Sequence, residues 1–132
     1  MARECYCAIL RTAARKVTAV YDTALEPFGV NLAQYSLLRT IERTAPLSLT
    51  RLGRLVELDR STVGRNVRLL ERMGLVQLGA GPDQREAPVA LTEAGRQLLA
   101  SSEACWRAAQ EQVEARLGAE TARHLRTLLQ SF

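Results

Sequence analysis

The sequence lacks the features that define several large classes of protein. None of its apolar runs approaches the roughly 18 residues that a membrane-spanning helix needs. Its start, Met1-Ala2-Arg3-Glu4, does not have the form of a secretory signal, so we expect a cytoplasmic protein with no membrane partner. No repeat, low-complexity tract or linker interrupts its 132 residues, which are enough for one domain with a buried core.

Residues that carry enzyme chemistry are scarce. The chain has one histidine, His124, and it has no G-x-S-x-G motif and no glycine-rich phosphate loop. An active site needs a nucleophile with its base, paired carboxylates or a set of metal ligands. We therefore expect no catalytic residue, no cofactor and no enzyme activity, and turnover of any substrate would overturn this expectation.

Cysteine is also sparse, with only Cys5, Cys7 and Cys105. An odd number of cysteines in a chain without an export signal argues against a disulfide framework. The Cys5-x-Cys7 spacing is too short for the usual C-x₂₋₄-C zinc knuckle, and His124 has no partner at ligand spacing. The sequence predicts no metal site.

Positive charge is modest in total but concentrated in one segment. The net charge is +4, which permits nucleic-acid binding without requiring it. Residues 60–72 alone hold four arginines against one glutamate. The position of the charge is therefore more informative than its sum.

Residues 46–96 have the pattern of a winged helix-turn-helix. This order of elements suits a helix in the DNA major groove and a hairpin that reaches the backbone or the minor groove. We expect a mainly α fold with a small β wing. The predicted elements are a short helix at 48–56, a turn at 57–59, a second helix from Arg60 to Met73 closed by Gly74, and strands at 75–78 and 87–91 around a polar tip at 79–86.

The second helix has two chemically different faces at 100° per residue. Val63, Val67 and Leu70 share one side, and Asp59 is placed to cap the first turn. The opposite side carries Ser61, Arg65, Arg68 and Arg72. An ordinary solvated face is the alternative, but the wing favours DNA recognition independently of the charge. The candidate DNA contacts are Ser48, Arg60, Ser61, Thr62, Arg65, Asn66 and Arg68, with Asp83 and Arg85 at the wing tip.

Long amphipathic helices are predicted outside the winged core. One spans residues 5–26 and ends at Pro27-Phe28-Gly29, and Asn31 with Gln34 forms a capping box for the next. Thr92 caps another long helix that Gly118 breaks, and a last helix spans 119–130. We divide the single domain, 1–132, into a winged core at 30–92 and a helical dimerisation region at 1–29 and 93–132.

The apolar stripes of these terminal helices must be buried, either on their own core or against a second chain. We favour a homodimer, because a two-fold axis places two recognition helices one helical turn apart on a pseudo-palindrome.

With these segments in view, the chain resembles the MarR family of bacterial transcription regulators over nearly its full length. The resemblance implies a homodimeric regulator of double-stranded DNA that responds to small aromatic or phenolic ligands or to oxidants. We expect a repressor that such a small molecule releases from its operator. The segments that carry the resemblance are Leu58-Asp59-Arg60-Ser61-Thr62-Val63, Leu70-Glu71-Arg72-Met73-Gly74-Leu75-Val76, Asp83-x-Arg85 and Leu91-Thr92-Glu93-Ala94-Gly95.

Two positions depart from the family pattern. The wing of many members reads Asp-Arg-Arg, and Gln84 replaces the first arginine here, so Arg85 is expected to serve alone as the side chain that enters the groove. Glu57 stands where a turn glycine is common, which predicts a turn that avoids positive φ.

The first helix is also similar to that of the organic-hydroperoxide regulators in this family. Cys7 falls in the register of their reactive cysteine and Tyr21 in that of a tyrosine that hydrogen-bonds it, whereas Arg11 and Leu32 replace other tyrosines. Arg11, one turn after Cys7, would lower the thiol pKa as a nearby cation. An oxidant sensor using Cys7 therefore stands as an alternative to a small-molecule response. A winged helix that binds only proteins is a third possibility.

Overall fold

Six helices and three short strands make up the described part of the chain, residues 4–80 and 86–132 of a computed structural model. The fold is mainly α with a small β wing, so the predicted fold class is confirmed. The elements are α1 (Tyr6–Leu25), a 3₁₀ turn (Glu26–Phe28), α2 (Leu32–Thr44), β1 (Leu47–Ser48), α3 (Leu49–Val56), α4 (Arg60–Arg72), β2 (Val76–Leu78), β3 (Pro88–Leu91), α5 (Glu93–Leu117) and α6 (Ala119–Gln130).

The chain divides into two compact units. The winged unit is Val30–Ser102, and the helical unit comprises the described residues of Met1–Gly29 together with Glu103–Phe132. Residues 93–102 of α5 therefore belong to the winged unit, where Leu99 and Ser102 are fully buried.

The winged unit contains a three-stranded antiparallel sheet with strand order β1-β3-β2. β3 lies in the middle and pairs Leu47 with Val89 on one side and Val76 with Leu91 on the other. Alternate residues of β3 are buried, which places Val89 and Leu91 in the core. The sequence did not indicate β1, because two residues are too few to show a strand's alternation.

Helix α2 begins at the predicted capping box. The backbone N–H of Gln34 donates to Oδ1 of Asn31, and the backbone N–H of Asn31 donates to Oε1 of Gln34, each at 2.9 Å. This reciprocal pair satisfies two amides that the first turn of a helix leaves without partners. The helix then buries Tyr35, Leu38 and Ile41 in the winged core.

The turn between α3 and α4 corrects one expectation. Glu57 has φ 56° and ψ 40°, in the left-handed region, so the prediction that this turn avoids positive φ was wrong. The cause is the way α3 ends: Leu58 N–H donates to Gly53 O at 3.0 Å, and this closure requires a left-handed residue at position 57 whatever its side chain. A left-handed residue other than glycine costs roughly 1–2 kcal/mol.

Thr92 connects the end of α4 to the start of α5. Its hydroxyl donates to the carbonyl of Gly74 at 2.6 Å and accepts from the backbone N–H of Gly95 at 3.1 Å. A Cβ on Gly95 would lie 2.2 Å from the carbonyl oxygen of Leu75, so no side chain fits there. Gly74 itself has φ 78° and ends α4 as predicted.

The helical unit buries few of its own apolar side chains. α1 has 20 residues, yet only Tyr21 and Leu25 are buried. The Tyr21 hydroxyl donates to Oε1 of Gln110, and its ring lies 6.2 Å from that of Trp106. The exposed large apolar side chains of this unit include Tyr6, Ile9, Leu10, Val17, Leu117, Leu128, Leu129 and Phe132.

Within residues 4–80 and 86–132, every helix is too short or too polar to cross a membrane.

Candidate nucleic-acid interface

Helix α4, the second helix of the pair α3–α4, is held at its start by Asp59. The Asp59 carboxylate accepts a hydrogen bond from the backbone N–H of Thr62 and another from the hydroxyl of Ser61, each at 2.8 Å. These bonds hold the pKa of Asp59 below its ordinary value, the Thr62 amide having the largest effect. Asp59 caps the helix as the sequence predicted.

The two faces of α4 differ as their residue types require. Val63, Val67 and Leu70 are fully buried and hold the helix on the winged core. The residues of the opposite face, Ser61, Arg65, Arg68 and Arg72, are all exposed. The exposed face of α4 therefore carries a row of guanidiniums, an arrangement that suits a polyanionic partner.

The remaining predicted contacts on α4 lie beside this face. Arg60 is exposed at the start of the helix, and Thr62 and Asn66 are half-buried. Nη2 of Arg65 lies 3.4 Å from Oγ1 of Thr62, a long hydrogen bond that directs the guanidinium towards the start of the helix. The structure therefore brings Thr62 and Arg65 together.

Helix α3 presents two further cations. Ser48 caps this helix: its Oγ accepts a hydrogen bond from the backbone N–H of Arg51 at 3.1 Å, so this oxygen already has a partner within the protein. Arg51 and Arg54 are exposed, and α3 contains no acidic residue. The sequence analysis did not include these two arginines among the candidate DNA contacts. Their three-residue spacing places them on one face of a helix without acidic residues, and this pattern was visible in the sequence.

The wing is described up to its tip. β2 and β3 pair through Gln77 and Ala90, and the backbone N–H of Gly79 donates to Pro88 O at 2.8 Å. The tip contacts predicted at Asp83 and Arg85 lie outside the described residues.

The N-terminal cysteines are both exposed. Cys5 precedes α1 in extended conformation, and the nearby backbone amides of Ala8 and then Cys7 lower the pKa of its thiol. Cys7 lies in the first turn of α1, with Arg11 one turn further on.

Tyr21 is not beside Cys7 within one chain. It lies fourteen residues further along α1, about 21 Å at the helical rise of 1.5 Å per residue. Burial, and then the nearby Glu114 carboxylate, raise the pKa of the Tyr21 hydroxyl, which donates to Gln110. The site formed by Cys7, Arg11 and Tyr21 stays a prediction.

Among residues 4–80 and 86–132, no group of three histidine, cysteine or acidic side chains is placed to hold a metal ion.

The helix pair α3–α4, the guanidinium face and the hairpin that follows define a winged helix-turn-helix DNA-binding protein. Residues 28–86 match the MarR family. The HTH-type transcriptional repressor Rv2887 of Mycobacterium tuberculosis is 33% identical over 112 residues, which cover 84% of this chain and 81% of that protein. The chain belongs to the MarR family, whose members are DNA-binding transcriptional regulators rather than enzymes.

Two further similarities differ in how much of the chain they cover. The protein chain in the crystal structure of the M. tuberculosis transcriptional regulator MosR with DNA matches this chain with a TM-score of 0.83 and 34% identity. The match covers 97% of this chain and 96% of that one. The uncharacterised HTH-type regulator YwoH of Bacillus subtilis is 31% identical over 84 residues, 64% of this chain and 61% of that protein.

Proposed function

We propose that this protein is a homodimeric repressor that places α4 in the major groove of a pseudo-palindromic operator. The observation that carries the proposal is the exposed face of Arg65, Arg68 and Arg72 on a helix whose opposite face is fully buried. Arg65 and Arg68 contact base edges or phosphates, with Ser61, Thr62 and Asn66 at the edge of the same surface.

Contacts to the DNA backbone complete the proposed interface. Arg51 and Arg54 lie on α3, the first helix of the motif, which crosses the sugar-phosphate backbone in helix-turn-helix complexes. Arg85, at the wing tip, enters or skirts the minor groove, where negative potential rather than base identity attracts it.

The homodimer is supported by the apolar surface of the helical unit. Ile9, Leu10 and Val17 are between 37% and 46% exposed along α1, and Leu128 and Leu129 are 51% and 44% exposed on α6. A second copy of the chain would cover these side chains and bring two copies of α4 to successive major grooves.

The proposed effector is a small aromatic or phenolic molecule. The half-buried ring of Trp106 lies beside that of Tyr21, so the helical unit has aromatic surface for such a ligand. Because Trp106 is the only tryptophan, its fluorescence would report binding directly, and release of operator at the same ligand concentration would establish the response.

Salt dependence tests the DNA-binding proposal. The logarithm of the affinity for duplex DNA should fall steeply with the logarithm of salt concentration, by about 0.9 for each phosphate neutralised.

Arg85→Ala should weaken binding to many sequences alike and reduce this slope by about one per subunit at most. If no duplex binds at low salt, the winged unit serves protein interaction instead. If Arg85→Ala loses preference at a single base pair, the wing reads bases.

Oxidant sensing is a second candidate, favoured by the exposure of Cys5 and Cys7. In this version Cys7 is the reactive thiol, and a contact with Tyr21 would come from the second chain of the dimer. An organic hydroperoxide should release the operator from wild type and not from Cys7→Ser. Loss of the response in Cys5→Ser alone would assign the reaction to the thiol whose pKa is lowered.

A further inference from the structure

An exposed leucine borders the cationic face of α4. Leu69 is 39% exposed, although it belongs to the helix whose apolar residues Val63, Val67 and Leu70 are fully buried. At 100° per residue it lies about 40° round the helix from Arg65 and about 60° from Arg72. Both arginines are exposed and lie on the same side of Leu69, so Leu69 borders the row of guanidiniums at its edge, next to Arg65.

An exposed leucine beside these cations adds to binding only where an otherwise anionic partner presents an apolar group. Inside the major groove the base pairs present one prominent apolar group, the C5-methyl of thymine, and side-chain methyl groups contact it in known recognition. The neighbouring arginines favour phosphates and guanine, so all three side chains suit the same groove.

We infer that Leu69 contacts a thymine methyl group and makes the protein select a T·A pair at one position of each operator half-site. The inference rests on the proposed placement of α4 in the major groove. Leu69 follows Arg65 by four residues, about 6 Å along the helix axis, and DNA rises about 3.4 Å per base pair, so the thymine lies one to two base pairs from the base or phosphate that Arg65 contacts.

Deoxyuridine substitution tests this contact without changing the protein. Duplexes retained by the purified protein from a random pool would be resynthesised with each thymine replaced in turn by deoxyuridine, which lacks only the C5-methyl group. Burying one such carbon is worth about a three- to five-fold change in affinity. Wild type should lose that factor at one thymine of each half-site.

Two variants assign the loss to a side chain. Leu69→Ala should bind the thymine and deoxyuridine duplexes equally at that position while keeping its sensitivity elsewhere. Leu55→Ala makes the same truncation at a 48% exposed leucine of α3 and should keep the complete wild-type pattern. Thermal unfolding of both variants verifies that each is folded.

The outcomes separate this inference from the proposed function. Operator binding that is insensitive to every deoxyuridine, or a Leu69→Ala variant that retains the wild-type pattern, overturns the thymine contact alone. If Leu69→Ala loses the same factor in affinity, relative to wild type, on the thymine and the deoxyuridine duplex, the side chain contacts sugar or phosphate. That outcome also overturns the thymine contact. Absence of any duplex binding by wild type overturns the proposed function and the contact with it.

Discussion

Arg65 is the residue from which we expect the largest single effect on DNA recognition. A guanidinium that bonds guanine O6 and N7 together contributes about 1–3 kcal/mol of discrimination. Arg65→Ala should therefore weaken operator binding about ten-fold or more in a mobility-shift assay, with the folded dimer retained.

Arg43→Ala is the matched control for Arg65→Ala, because Arg43 is an exposed arginine on α2 of the same winged unit. It removes the same charge from a helix outside the helix-turn-helix pair. Unchanged operator affinity in Arg65→Ala, or an equal loss in both variants, would remove Arg65 from the set of specific contacts.

Asp59 makes the start of α4 sensitive to acid. Its pKa is lowered in the folded protein, so its contribution to stability is fully present above the unfolded value of about 3.9 and is lost as the pH falls through the folded pKa. Asparagine also caps helices but does not titrate. The difference in Tm between wild type and Asp59→Asn should therefore shrink as the pH is lowered from about 5 to 3, and a constant difference would contradict this assignment.

At the scale of elements, the junction of α4 and α5 tolerates only glycine at position 95. A Cβ there would meet the Leu75 carbonyl at 2.2 Å, so Gly95→Ala must displace backbone and should cost about 1–3 kcal/mol of unfolding free energy. Gly64→Ala is the control, because a Cβ on Gly64 has nothing within 4 Å and alanine is the better helix former by about 1 kcal/mol. Denaturant unfolding should give shifts of opposite sign.

The sequence predicted the helices and the buried and exposed sides of α4 because both depend on local rules. The spacing of Val63, Val67 and Leu70 specifies the buried side of α4, and the caps at Asn31 and Asp59 depend on neighbours three residues away. The MarR resemblance, the fold class and the DNA-binding function are all confirmed.

Features that depend on distant segments were not predictable. The bond between Tyr21 and Gln110 joins residues 89 positions apart, and β1 exists only because β3 lies beside it. Glu57 was misjudged because the closure of α3 by Leu58, rather than the side chain at position 57, decides the backbone conformation.

At the scale of the whole molecule, the exposed leucines of the helical unit are the basis for the proposed homodimer. Leu128→Glu would place a charge in the proposed dimer interface, where an unpaired carboxylate is costly, and should raise the dimer dissociation constant about ten-fold or more. Thr127→Glu adds the same charge about 100° away on α6 and should leave the dimer intact. Sedimentation velocity over a range of concentrations measures both. A monomer in wild type, or equal effects of the two substitutions, would contradict the proposed interface.

The separation of the two faces of α4 has a consequence for how such regulators diverge. The residues that hold the helix in place are Val63, Val67 and Leu70, and none of them belongs to the exposed row at 61, 65, 68, 69 and 72. Exposed substitutions usually change stability by less than about 0.5 kcal/mol. Under the proposed function, one copy of a duplicated gene can therefore exchange its operator through mutations in the exposed row while both copies stay folded.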